Sequence, residues 1–189
     1  MKNLPVDYFL DADDDLLDFL EKQGEECIKE IEQSNAINRE SGYKLLSILI
    51  VGIGSSFLLL TQDLKSDYMY LGLGMFTLYW TVCAMYLVLR VLSVQLRGLI
   101  SSPPGSLYTE VHKTLDNDDF NYFRDKGFEG EPSTLAIIRR IRVRDLSLTA
   151  EDLLLINDRI RNELERVRIA TILTPALALS LSVIQYFFS

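Results

Sequence analysis

The chain has 189 residues, 48% of them hydrophobic, a formal charge of −8 and a mean hydropathy of +0.12, which lies above the range of an ordinary soluble domain. A single histidine excludes histidine clusters and an ordinary zinc site, and the net acidity gives no nucleic-acid footprint, so no nucleic-acid partner is expected.

Residues 1–42 form an acidic arm. Acids outnumber bases three to one in it, whereas residues 90–168 are balanced, so the whole net charge belongs to the arm. Asp7, Asp11, Asp13, Asp14 and Asp15 fill the region where a signal peptide needs a basic segment and then an apolar run. Asp13 to Asp15 suit the first turn of a helix, where carboxylates meet the positive end of the dipole. Leu17, Leu20, Gly24, Cys27 and Ile31 then recur at helical spacing, continued by Ser34 and Asn38. Gly24 and Cys27 make a poor self-standing coiled coil, so the seam is expected to pack against other parts of the protein.

Three blocks free of Asp, Glu, Lys and Arg follow: Leu45 to Thr61, Tyr68 to Leu89 and Ile169 to Phe188. At about 1.5 Å per residue, helices of this length span roughly 25–33 Å, matching a hydrocarbon core of about 30 Å. Tyr43 and Lys44, Tyr68 and Tyr70, and Tyr186 with Phe187 and Phe188 flank them as interface residues do. Trp80 falls mid-span and is expected to pack on another helix. The expected layout is an arm over 1–42, spans over 43–62, 68–89 and 169–188, an external turn over 63–67 and a cytoplasmic module over 90–168. Arg90 and Arg97 follow the second span, Arg159, Arg161, Arg166 and Arg168 precede the third, and Lys29, Arg39 and Lys44 precede the first. By the positive-inside tendency the N-terminus and the module are cytoplasmic and the C-terminus is external. Cys27 and Cys83 then lie in different media, so no disulfide or metal pair is expected between them.

Within the module, Ser101-Ser102-Pro103-Pro104-Gly105 and Gly127 to Pro132 read as turns, and Ser106 to Leu115 as a short helix. The run Ile137 to Leu148 is open: Arg140, Arg142 and Arg144 alternate with Ile141 and Val143 as in a strand, while Ser133 or Thr134 can cap a helix there. Thr149 with Asp152 reads as a capping-box start for a helix whose stripe is Leu153, Ile156, Ile160, Leu164 and Val167, continuing into the third span. Pro175, after Thr174, is a hinge or kink inside that span. The expected fold class is mainly α: a three-span helical membrane protein, built as a two-span hairpin plus a C-terminal span, with a small and mostly helical cytoplasmic module.

Chemistry is sparse. Glycine-rich phosphate loops are absent, since Gly52-Ile53-Gly54 and Gly72-Leu73-Gly74 lie inside spans. Asp116, Asp118 and Asp119 fail as a calcium loop, because Phe120 takes a ligand position and Asn121 stands where glycine is needed. No catalytic residues, metal ligands or cofactors are expected. Arg139, Arg140, Arg142 and Arg144 are candidate contacts for an anion; lipid phosphate, a nucleotide signal and the acidic arm itself are the three partners weighed. Gly52 and Ser56, Thr77 and Thr81, Ala176 and Ser180, and Ala178 and Ser182 sit four apart, as helix-packing or pore-facing positions do. A transporter would bury ionisable groups mid-span, and the spans have none.

The arm, hairpin, compact cytoplasmic segment and final span, with the stretch Asn121-Tyr122-Phe123-Arg124-Asp125, resemble in architecture the small bacterial membrane effectors of phage defence. The outline is similar to the Pycsar transmembrane effectors and, for the hairpin, to the SLATT two-span domains. The resemblance implies a non-enzymatic homo-oligomer of the bacterial inner membrane that forms or gates a pore or perturbs the lipid. The alternative expectation is a membrane-anchored adaptor that holds a soluble cytoplasmic protein.

Overall fold

The computed structural model describes residues 4–5, 7–62, 67–93, 105 and 108–188. The turn expected at Ser101 to Pro104, Arg97 and most of the loop over 63–67 lie outside these residues. The protein is mainly helical, and no strand occurs among the described residues. Among the described residues the helices are, in chain order, α1 (Asp14–Thr61), α2 (Asp67–Leu87), α3 (Glu110–Lys113), α4 (Asn117–Asp125) and α5 (Thr134–Phe188), with a π-helical segment, Val88–Leu92, following α2. Three of them, α1, α2 with its extension, and α5, are long and apolar enough to cross a membrane.

Local chemistry explains the starts. Asp13 Oδ1 accepts from the Leu16 N–H at 2.7 Å, capping α1, and Asp14 and Asp15 occupy its first turn. The acidic triplet that fails as a calcium loop is a capping box. Asp116 Oδ1 accepts from Asp118 N and Asp119 N at 2.9 and 3.1 Å, while Asp119 Oδ2 accepts from Asp116 N at 3.1 Å. Gly127, at φ 100°, supplies the left-handed turn beyond α4. Of the helix expected over Ser106 to Leu115, Glu110–Lys113 is helical as α3, and Ser106 and Leu107 lie outside the described residues.

Helix α5 begins fifteen residues earlier than the Thr149 cap implies. Ser133 is its start signal, with its hydroxyl accepting from Ala136 N at 3.2 Å. The run Ile137 to Leu148 is therefore helical, and Thr149 is an interior residue. The reason is a continuous buried stripe: Ile137, Arg140, Val143, Leu146, Ala150, Leu153, Asn157, Ile160, Leu164, Val167, Thr171 and Thr174 recur at three- and four-residue steps. On α1 the buried positions include Ile28, Asn35, Gly42, Leu49 and Ser56, a seven-residue repeat one position away from part of the expected seam.

The chain divides into two compact units. Unit 1 comprises Met1–Gln33 and Leu96–Ile156, and unit 2 comprises Ser34–Gln95 and Asn157–Ser189. Unit 1 has three apolar clusters, in which Ile28 and Ile31 meet Leu146, Ala150 and Leu153; Ala12 and Leu17 meet Val143; and Leu10 meets Phe120, Phe128 and Ile137. The arm thus packs on the start of α5. In unit 2 the apolar side chains of α1, α2 and α5 are mostly exposed, among them Val51, Leu58, Leu78, Val82, Ile172 and Leu179. Contiguous apolar surface on this scale marks contact with lipid or protein, not water.

Candidate functional site

The candidate residues fall into two groups, one in each unit. In unit 1 the helical period decides what the arginines do. A strand would align Arg140, Arg142 and Arg144; a helix instead pairs Arg139 with Arg142 on one face and Arg140 with Arg144 on another. The first face meets acids that α1 presents at its own helical spacing. Arg139 pairs with Asp18 and lies 3.6 Å from Glu21 Oε2. Arg142 reaches Glu21 Oε1 at 3.1 Å through Nε and Glu25 Oε1 at 2.5 Å through Nη2. The acidic arm, one of the three partners weighed, is thus in contact with Arg139 and Arg142. The hydrogen bond that Arg139 donates to Asp18 holds the guanidinium above its ordinary pKa, against a smaller opposing effect of burial.

Arg140 differs. It is 3% exposed and donates to three carbonyls: Nε to Leu10 O at 3.3 Å, Nη2 to Ala12 O at 2.6 Å and Nη1 to Ala136 O at 2.9 Å. Its guanidinium lies over the Phe128 ring, 4.6 Å from the centroid. Burial pushes its pKa down. Arg144 donates from Nε to Leu4 O at 3.2 Å. Arg140 and Arg144 thereby fasten the segment before α1 to α5.

Compared with protein-family models, curated proteins and solved structures, the chain matches none.

In unit 2 the small residues separate by role. A Cβ at Gly52 would overlap the Trp80 ring, approaching Cη2 to 3.0 Å, and Trp80 is 9% exposed and stacked on Phe76. The expected contact of Trp80 with another helix is present. A Cβ at Gly72 would overlap Ser182 Oγ and come within 2.9 Å of Ala178 O. Gly54 and Gly74, the second glycine of each pair, face open space. Thr77 Oγ1 donates to Ser56 Oγ at 2.8 Å, and Ser56 is buried. Thr81 Oγ1 instead bonds to Thr77 O of its own helix. Of the α5 pairs, Ala178 and Ser182 pack on Gly72, whereas Ala176 and Ser180 are exposed. Pro175 lies inside α5. The Thr174 hydroxyl bonds to Ala170 O at 2.7 Å, not to the Thr171 carbonyl that proline leaves without its helical donor.

Two polar contacts of unit 2 escape a search for charged or small-residue motifs. Asn38 Nδ2 donates to Asn157 Oδ1 at 3.1 Å, and Asn157 Nδ2 donates to Ser34 Oγ at 3.0 Å, joining α1 to α5. Ser34 and Asn38 follow the arm's seam, so half of the bridge was visible; nothing marks Asn157 except its place on the α5 stripe. The Tyr86 hydroxyl donates to Glu163 Oε2 at 2.6 Å. That bond is the main cause holding the Glu163 carboxyl below its ordinary range, with burial opposing and Arg166 assisting. Among the described residues no group of three or more His, Cys, Asp and Glu is placed to hold a metal.

Proposed function

We propose that this chain is a non-enzymatic, three-span protein of the bacterial inner membrane whose copies associate to form or gate a pore, or to perturb the lipid, in the manner of phage-defence membrane effectors. Its arm and the module over 90–168 are cytoplasmic and its C-terminus is external. The observation that carries this reading is the division of small residues. Gly52, Gly72, Ala178 and Ser182 are used within the subunit, while Gly54, Gly74, Ala176 and Ser180 leave small residues on the outer surface of the spans. Outward small residues allow close approach of a second helix. Three helices cannot enclose an aqueous pore alone, so conduction needs several subunits.

The ion pairs of unit 1 favour gating over the adaptor reading. Asp18, Glu21 and Glu25 are paired with Arg139 and Arg142, which ties these three acids to α5 of the same chain. Helices α1 and α5 carry those pairs and also carry two of the three apolar spans. Loosening the pairs is the step by which a cytoplasmic signal would act on the spans. Overproduction in bacteria, followed with a membrane-potential dye, tests the proposal. An effector depolarises cells, and Arg142→Glu alters the dose at which it does so. Silent overproduction of both forms, with normal insertion, overturns the effector reading in favour of the adaptor alternative.

A further inference from the structure

Unit 1 holds a cavity of about 300 Å³ whose walls include Leu10, Val111, Leu115, Phe123 and Ile141. Its lining is mainly apolar by area, but two cations, Arg140 and Lys126, one acid, Asp7, and the polar rings of His112 and Tyr122 also border it. Arg140 is the unusual member. Arg139, Arg142 and Arg144 each have a carboxylate oxygen within 4 Å, whereas the bonds described for buried Arg140 all end on uncharged carbonyls. Among the described bonds three of its five N–H groups are used in this way, and Asp14 acts on its charge only through space, with no described carboxylate pairing with it within 4 Å. A buried charge is costly unless an opposite charge meets it, and carbonyl dipoles offset only part of that cost.

We infer that this cavity binds a small amphipathic carboxylate, a medium-chain fatty acid, with the carboxylate against Arg140 and the chain along Leu10, Val111, Leu115 and Ile141. Lys126 is exposed at the rim and adds a second cation without a desolvation cost. An inorganic anion would gain nothing from the apolar walls. A nucleotide's polar base and sugar would lie against walls that are apolar over most of their area. The inference does not depend on the proposed effector function, since it rests on unit 1 alone.

The test uses the full chain in lipid nanodiscs, a diazirine-bearing decanoic acid as photoprobe and the matching alcohol as its uncharged control, with labelled peptides mapped by mass spectrometry. The carboxylate should label the peptide carrying Val111 and Leu115 at least tenfold more than the alcohol does, and unlabelled decanoate should compete. Val111 borders the cavity and is 70% exposed, so Val111→Trp narrows the opening without disturbing the core and should sharply reduce the labelling. Arg140→Gln should equalise acid and alcohol, provided circular dichroism shows unchanged helix content. Equal labelling of the wild type by acid and alcohol, labelling confined to the spans, competition by inorganic phosphate as strong as by decanoate, or full labelling of Val111→Trp would each overturn the inference.

Discussion

Two glycines in one helix provide an internal control on how the spans pack. Gly52→Ala and Gly54→Ala make the same chemical change two residues apart in α1 and gain the same helix propensity, about 1 kcal/mol. That gain cancels in their difference. At Gly54 the new methyl meets nothing within 4 Å; at Gly52 it overlaps the Trp80 ring, which is 9% exposed and backed by Phe76. The ring must therefore shift or α1 must move away, and overpacking of this kind costs about 1–3 kcal/mol. Gly52→Ala should thus be less stable than Gly54→Ala by that amount. Trp80 is the only tryptophan, so its emission during SDS-titrated unfolding in micelles reports on the site directly. In a Trp80→Leu background, where far-UV circular dichroism replaces the lost emission, the difference should vanish because Gly52 no longer faces the indole ring. Equal stabilities for the two alanine variants, with unchanged Trp80 emission, would refute the packing of α1 on α2 described here.

Other contacts make shorter predictions. Because the folded pKa of Glu163 is depressed, its contribution is present above the ordinary carboxylate pKa and is lost as pH falls through the lower folded value. Tyr86→Phe should lower stability at neutral pH and flatten the acid limb of a stability-against-pH curve; an unchanged acid limb would refute the Tyr86 attribution. Arg142→Glu places a like charge beside Glu21 and Glu25, and the pairs are partly exposed, so the loss should be about 1 kcal/mol and should shrink in 1 M salt. Hydrogen exchange over residues 14–25 reads it, and exchange that ignores the substitution would show the pairs to be idle. Asn157→Ala leaves Ser34 and Asn38 without their shared partner and should cost about 1–3 kcal/mol in thermal unfolding. A smaller loss from Asn157→Ala than from alanine at exposed Asp158 would contradict the bridge.

The long-range plan of the helices was legible because span length, absence of charge and apolar periodicity act together over many residues. The acidic arm's need for an intramolecular partner was legible too, from a seam too weak to stand alone. The start of α5 was not. Arg140, Arg142 and Arg144 alternating with Ile141 and Val143 imitate a strand over five residues, and only the longer stripe from Ile137 through Val167 distinguishes a helix. That same confusion of periods hid the buried position of Arg140, since a cation at a core position violates the pattern used to find cores. The α1 seam was partly misplaced because Cys27 and Ile28 are adjacent and both apolar, so spacing alone could not choose between them. Small-residue pairs could be found but not sorted: Ala176 with Ser180 and Ala178 with Ser182 have identical spacing, and only the position of Gly72 on α2 separates the packed pair from the exposed one.

The most direct test of the central claim is the mass of the nanodisc-embedded protein by light scattering, corrected for bound lipid. The account predicts a discrete homo-oligomer, a tetramer or larger, that shifts to smaller species when Ala176 and Ser180 are both replaced by leucine. A monomer or dimer for the wild type, unchanged by those substitutions, would contradict self-assembly through the outward small residues and with it the pore reading.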